Sequence, residues 1–341
     1  MRISVGIIAQ DEDRDLEITV SQAWGSDPRP YEVIVVDDHS EKPVAGRLAS
    51  YPDVRCIRHD EPLGCHQARN TLIENAKGDA LIILDGHMRM PLDWLHYAGK
   101  AMDEHRDALM CPIVRSSLLH SKSVSCGAVL NYIDHGGWVG ARSCSAVPKS
   151  AQVMPCIMGA CYFATMDVWH RMGGHNRAFR CWGYTEQDLA LRAWLTGCRV
   201  IATPDLIVRH RYGRPKVGNT RVKYSTRHTN LLHLINAFWG ITECERINRS
   251  IARVHGDRPW KLFLKWRSKS DQEAERFAEL RKVSNDKLQE LCGYVLPSND
   301  QLREIENQIV EKERKIREQH QKKQKQQEQK REAAQAKGNA A

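Results

Sequence analysis

The chain has 341 residues, a formal net charge of +9 and 41% hydrophobic residues. That length suits one large α/β domain or two small ones, and the composition is globular, with no run long enough to span a bilayer. Eleven cysteines without a Cys-x-x-Cys pair argue against a structural zinc site or a disulfide framework, so reduced thiols and a cytoplasmic location are expected.

The N-terminus enters a strand over residues 3–9 with no signal-peptide pattern. An amphipathic helix follows over 13–24, and the Val/Ile run at 31–36 is a second buried strand ending in Asp37-Asp38-His39-Ser40. Residues 63–76 read as a helix, 80–84 as a strand, 91–106 as a helix and 107–115 as a strand. This alternation predicts a mostly parallel α/β sheet with right-handed crossovers. Residues 117–155 are polar and rich in Ser, Gly and His, as for an irregular insertion with a hairpin. A strand at 158–164, helices at 166–172 and 186–196, and a strand at 200–208 complete the sheet. Residues 211–225 lack periodicity and read as a mobile loop, and two helices are expected over 226–254 and 258–292. Beyond residue 300 the apolar residues Leu302, Ile305, Ile309 and Ile316 form only a thin stripe, compatible with weak self-association or a solvated helix. The low-complexity stretch 320–341 is expected to be disordered.

Three strand ends carry candidate chemistry. Asp85 and His87 follow the strand at 80–84, and alternate residues of an extended backbone point to one side. A carboxylate and an imidazole aimed at one point suit a borderline cation such as Mn²⁺. In an open α/β sheet, the space beyond the carboxyl ends of the strands is where ligands bind. Asp38 ends the second strand, where an acid either accepts hydrogen bonds from a nucleoside or builds a turn. Arg69 sits one turn into the helix opened by Gly64, within reach of a base or a diphosphate at the helix N-terminus. No Gly-x-Gly-x-x-Gly or Walker lysine is present. The third strand end, Val208-Arg-His210, pairs with the helix start Trp182–Asp188 and offers a further imidazole ligand, while Glu186 and Asp188 are either a candidate base and its neighbour or first-turn acids that complement the helix dipole.

The order Val36-Asp-Asp-His-Ser40, Gly64-Cys-His-Gln-Ala-Arg-Asn70, Leu84-Asp-Gly-His87 resembles the donor-binding half of family-2-like GT-A glycosyltransferases. Met158-Gly-Ala-Cys-Tyr-Phe163, Gly173-Gly174-His175, Trp182-Gly183 and Val208-Arg-His210 resemble the other half. Asp-x-His in place of the commoner Asp-x-Asp is similar to the polypeptide N-acetylgalactosaminyltransferases. The resemblance spans roughly residues 2–215. It implies a GT-A (Rossmann-like) fold and a UDP-sugar-dependent hexosyltransferase. Asp38 and the Ala9 backbone would contact the uridine, and Arg69 would lie near the nucleotide. Asp85, His87 and His210 would hold Mn²⁺ or Mg²⁺, and Gly159 and Trp182 would shape the sugar and acceptor pocket. The implied layout is a GT-A domain over 1–225, with 117–155 as an acceptor-side insertion and 211–225 as a mobile loop. A helical extension at 226–299 and a charged helix and tail at 300–341 follow.

Two departures from the pattern matter. The first strand carries Ile7-Ile-Ala-Gln10 where the broad family shows a Pro-Thr pair. Retaining N-acetylgalactosaminyltransferases carry an amide where this chain has Glu186, whereas inverting relatives carry a carboxylate. Glu186 therefore implies inversion with this residue as base, and Asp188 is the fallback.

The acceptor is open: a saccharide or protein hydroxyl is the default, and a hydroxymethylated base in DNA competes. The segment Arg209–Thr242 has seven Lys or Arg and no acid, which fits either a cationic lid at 211–227 over a diphosphate or a polyanionic partner. Two other readings are a non-catalytic GT-A scaffold and a nucleotidyltransferase.

Overall fold

The computed structural model describes residues 1–118, 121–131, 138–180, 182–212 and 224–338. The expected lid at 211–227 falls mostly outside the described residues. Residues 132–137, six of the eight between the two hairpin strands of the 117–155 insertion, also lie outside the described residues.

A run of β-branched residues makes β1 (Ile3–Ala9), and α1 (Asp15–Trp24) returns over the sheet to β2 (Glu32–Asp37). A short strand that sequence reading missed, β3 (Arg55–Arg58), precedes α2 (Cys65–Asn75) and β4 (Ala80–Asp85). β3 lies on the edge beyond β2 and is only four residues long, too short for its alternation to show. The strands β5 (Met88–Arg89) and β6 (Ala108–Ser116) flank α3 (Trp94–Glu104). The insertion contributes β7 (Val124–Ser125), β8 (Ala128–Asn131), β9 (Gly140–Ser143) and β10 (Gln152–Val153), with β8 and β9 paired antiparallel as the expected hairpin. Then come β11 (Cys161–Thr165), α4 (Met166–Met172), α5 (Thr185–Leu195) and β12 (Arg199–His210).

The main sheet runs β10-β12-β6-β11-β4-β1-β2-β3. Pairs β1/β2, β1/β4, β2/β3 and β6/β12 are parallel, while β11 runs antiparallel to both β4 and β6. The sheet is thus mixed but mostly parallel, flanked by helices. From β1 the chain builds outward through β2 and β3, then returns to the other side of β1 with β4. The crevice at the ends of β1 and β4 is therefore a topological switch point.

After β12 the chain is helical: α6 (Tyr224–Trp239), α7 (Ile241–His255), α8 (Arg258–Lys265), α9 (Arg267–Leu280), α10 (Leu288–Cys292) and α11 (Asn299–Gly338). The helix expected over 226–254 is broken at Gly240, whose φ of 84° stops α6. The stretch expected to be disordered from residue 320 is helical as far as Gly338. Its Lys, Gln, Glu and Ala residues all have high helix propensity, and a composition too polar for a core does not preclude a helix.

One apolar cluster reaches from Ile34 and Leu81 of the sheet through Leu231, Ile247, Phe263 and Phe277 to Leu302 and Ile305 of α11. The first part of the thin α11 stripe thus packs on its own chain, whereas Ile316 is exposed. Among the described residues, no helix is long and apolar enough to cross a membrane.

Candidate active site

β4 delivers Asp85 to the carboxyl edge of the sheet, where its N–H donates to Ala160 O at 3.1 Å. His87 follows in the turn to β5. Thr19 of α1 holds that turn, its hydroxyl donating to Gly86 O at 3.0 Å and accepting from Met88 N–H at 3.0 Å. β5 then pairs antiparallel with the end of β12, setting His210 opposite Met88. Residues 123 positions apart in sequence therefore meet through a two-residue strand. The ligand atoms of Asp85, His87 and His210 all lie within 4.8 Å of one another. The two imidazoles are 4.7 Å apart, and His210 Nε2 approaches Asp85 Oδ2 at 3.5 Å.

The electrostatics favour an ionised carboxylate. Burial alone would raise the Asp85 pKa, but the His210 contact and the charges of Arg69 and His87 bring it down to about 2. Arg69 Nη2 donates to Asp85 Oδ1 at 3.1 Å, while Arg69 Nε and Nη1 are buried without hydrogen-bond partners among the described residues. His210 Nδ1 is likewise buried without a hydrogen-bond partner among the described residues, and Nε2 has the long 3.5 Å approach to Asp85. Unpaired buried donors and acceptors are costly, so they are informative where they cluster. One carboxylate and two imidazoles form a donor set suited to a borderline divalent cation. Sequence reading missed Glu12, which lies after β1 with its carboxylate 3.2 Å from His87 Nδ1. An acid orienting an imidazole in this way is the usual outer partner of a metal-binding histidine. Its place just past a strand end was the available signal.

Glu186 opens α5 at the same edge. A Cβ placed on Gly159 would lie 2.0 Å from Glu186 Oε1, so glycine there is what lets the carboxylate occupy its position. Burial, with the Asp85 charge adding to it, raises the Glu186 pKa against the opposing pull of Arg69 and Arg227. Tyr184, two residues earlier, has a φ of 63°. For a bulky residue this left-handed conformation is strained, and such strain persists only where the surroundings enforce it.

Asp188 is placed elsewhere. It is fully buried, accepts from Asn176 N–H at 2.9 Å and bonds Arg192 through both oxygens, at 3.1 and 3.0 Å. Arg192 continues to Glu273 of α9. Two residues along a helix turn the side chain by about 200°, so Glu186 and Asp188 face opposite ways. The Asp188 carboxylate, named from sequence as the fallback base, is thus engaged by Asn176 and Arg192 in the interior.

Asp38 lies at the switch point, yet its carboxylate accepts from Leu63 and Gly64 N–H, each at 2.8 Å, and lies 2.8 Å from His59 Nδ1. Its visible work is to shape the turn that opens α2, the alternative noted for it from sequence. Ala9 O accepts from Asp38 N–H at 2.8 Å. Trp182 is 54% exposed, with Arg227 5.7 Å above its ring.

Residues 4–123 match the family model described as glycosyl transferase family 2. Among curated relatives, the chain is 23% identical to mouse polypeptide N-acetylgalactosaminyltransferase 5 over 197 residues, 52% of this chain and 21% of that protein. It is 26% identical to Drosophila melanogaster polypeptide N-acetylgalactosaminyltransferase 3 over 212 residues, 56% of this chain and 32% of that protein. The chain thus spans a third or less of the length of these two relatives. The solved structure of GalNAc-T7 with UDP, GalNAc and Mn²⁺ superposes with a TM-score of 0.65 at 19% identity, covering 86% of this chain and 57% of that one. Residues 1–349 of S. aureus TarS with UDP-GlcNAc superpose at 0.53 and 14% identity, covering 94% and 92%.

Proposed function

We infer, from the family-2 match over residues 4–123 and the GT-A superposition on GalNAc-T7, that the chain is a family-2-like protein. We propose that it acts as a metal-dependent glycosyltransferase, moving a sugar from a UDP-sugar to an acceptor hydroxyl with inversion. The observation that carries this is the convergence of Asp85, His87 and His210 within 4.8 Å at the switch-point crevice. GalNAc-T7, whose structure holds UDP and Mn²⁺, and TarS, whose structure holds UDP-GlcNAc, support the choice of donor.

Asp85, His87 and His210 would hold Mn²⁺ or a similar divalent ion, with Glu12 orienting His87. Such an ion supplies Lewis-acid charge beside the departing diphosphate. His210 and Arg69 keep Asp85 ionised, and Arg69 has buried N–H groups without hydrogen-bond partners among the described residues. Asp38 and Ala9 contribute the wall at the ends of β1 and β2, and Gly159 and Trp182 border the sugar side. Glu186 accepts the proton of the acceptor hydroxyl as that oxygen bonds the anomeric carbon and the bond from that carbon to UDP breaks. The raised pKa of Glu186 makes it a stronger base than a solvated glutamate.

Release of UDP from a panel of UDP-sugars, with and without Mn²⁺ and with saccharide, peptide and hydroxymethylated DNA acceptors, tests the reading. Turnover is expected with one donor, with loss in Asp85→Ala and an inverted anomer by NMR. No UDP binding and no turnover refutes the activity, and full activity of Asp85→Ala refutes the metal site.

A further inference from the structure

The β5/β12 pair that brings His87 to His210 has two rungs: Arg89 opposes Arg209, and Met88 opposes His210. Arg211 N–H adds one backbone bond, to His87 O at 3.3 Å. On its other side β12 is held by β6 as far as the His210–Ser116 rung, so β5 is the member that needs support. A two-stranded contact this short is marginal by itself. Its side chains also oppose it, because Arg89 faces Arg209 across the ladder and Arg211 follows directly. Like charges placed opposite one another push a strand pair apart.

Asp15 of α1 answers both problems. One of its carboxylate oxygens accepts from Arg89 Nη2, at the end of β5, and the other from Arg211 Nη1, just past β12. Burial works against its charge, while the hydrogen bonds from Arg89 and Arg211 bring its pKa down to about 2. Thr19 lies one helical turn further on the same face of α1 and binds the turn that carries His87. The Thr19 hydroxyl also donates to Asp15 O at 2.9 Å. An exposed ion pair would matter little here. This residue is only 3% exposed, and neutralising it leaves neighbouring guanidinium groups to repel each other.

We propose that Asp15 is a positioning residue for the metal site. By bridging Arg89 and Arg211 it clamps β5 against β12 and so fixes the separation of His87 and His210. The consequence for the metal rests on the reading of Asp85, His87 and His210 as its ligands; the clamp on the two strands does not.

The test measures Mn²⁺ uptake by the full chain, without donor, from loss of the free-ion EPR signal. Asp15→Asn keeps the side chain's size and removes its charge. It should weaken Mn²⁺ about 10- to 100-fold, the usual cost of losing an outer partner of a metal site. Arg211→Met, at a side chain 37% exposed, frees the same end of the ladder with little disturbance of the core and should fall in the same range. Asp13→Asn is the charge control, since Asp13 Oδ2 lies 3.6 Å from Arg211 Nη1. Its asparagine keeps the oxygen that accepts from Asp15 N–H at 2.9 Å. Mn²⁺ affinity should then stay within about twofold of wild type. In the metal-free chain, Asp15→Asn should speed hydrogen exchange in 86–90 and 208–211 together, with β1 and β2 unchanged. Unaltered affinity in Asp15→Asn or in Arg211→Met overturns the assignment. So does an equal loss in Asp13→Asn, which makes the effect one of net charge. Faster exchange over the whole sheet with wild-type affinity marks a purely structural acid and overturns it as well. A wild-type chain that takes up no Mn²⁺ overturns the metal reading and this role with it, whereas wild-type uptake that the variants share refutes this role alone.

Discussion

Gly159→Ala should disable the site while sparing the fold. The added methyl would lie 2.0 Å from Glu186 Oε1, 2.7 Å from Cδ and 3.0 Å from Cγ. Ordinary contact is about 3.5 Å, so the carboxylate must retreat by about 1.5 Å. The obstacle is the far end of a flexible side chain, and Gly159 does not have the positive φ that would penalise alanine. The strain then falls on the Glu186 rotamer, at about 0.5–1.5 kcal/mol, partly offset by the lower chain entropy of alanine in the unfolded state. Stability should change by less than about 1.5 kcal/mol. Catalysis should suffer more, because displacing a reacting group by about 1 Å can cost about 100-fold, or about 2.7 kcal/mol in barrier.

The assay is kcat and KM for UDP release, alongside thermal melting. Gly159→Ala should lower kcat about 100-fold with the donor KM little changed. Glu186→Gln should lower it about 100- to 10,000-fold. Because both substitutions act through one carboxylate, adding Gly159→Ala to Glu186→Gln should cost little more. Wild-type kcat in Gly159→Ala, or a further full 100-fold loss in the double variant, refutes the reasoning.

Mn²⁺ should raise the melting temperature, by the equivalent of about 2.7 kcal/mol at a hundredfold excess over Kd, and Asp85→Asn should abolish the rise; an unchanged rise contradicts the ligand set. Since Glu186 must be unprotonated to act and its pKa is raised above 4.5, the acid limb of the kcat–pH profile should lie above pH 4.5; a limb at or below that value counts against it as base. His233 is buried beside Phe263, and burial lowers its pKa from 6.5 to about 3. The unfolded ring takes a proton below about pH 6.5 while the folded ring stays neutral, so this contribution is intact above 6.5 and is lost at about 1.4 kcal/mol per unit as pH falls toward 3. Melting of His233→Phe at pH 5 and 7.5 should show a flatter acid slope than wild type, and equal slopes refute the assignment. Glu273→Leu should cost about 3–5 kcal/mol in urea unfolding, because it strips a partner from the buried Arg192 guanidinium; a loss below about 1 kcal/mol rules out that network.

Strand existence was legible where the signal is apolar and continuous. The Val/Ile runs of β1, β2 and β4 are buried on both faces, as parallel strands must be. Asp85 and His87 were readable from their place at a strand end, although His87 reaches the site from the turn after β4 and not along an extended strand. His210 was readable as an imidazole at a strand end, but its meeting with Asp85 and His87 was readable only through the family pattern. Its actual partner strand, Met88–Arg89, is two residues long and carries no periodicity. Gly159 was named, but not its role. That role depends on a side chain arriving from α5, and no local pattern records such an approach. Asp38 shows the converse limit: an acid at a strand end looks the same in sequence whether it faces a ligand or three internal donors.

Glu186 lies against Gly159 near Asp85 whereas Asp188 is engaged in the interior, and the division bears on what the helical extension does for this sheet. Within α5, Asp188 pairs with Arg192, and Arg192 bonds Glu273 of α9, which Arg276 also binds at 2.9 and 2.8 Å. Arg276 further donates to Gly173 O at 2.8 Å, at the end of α4. At the far end of α5, Leu195 O accepts from Lys282 and Val283 N–H at 2.8 and 3.0 Å. Both ends of the helix are thus anchored by α9 and the segment after it. Its first turn meanwhile carries a strained Tyr184 and a carboxylate wedged against Gly159. In the proposed mechanism Glu186 is a base beside a metal site and needs a rigid mount, since loose positioning forfeits most of the rate. The buried ion network adds little net stability by itself, because desolvation offsets its attraction. Its effect is geometric: it fixes the rotation of α5, and that rotation decides which acid of the Glu-Gln-Asp triplet faces the crevice.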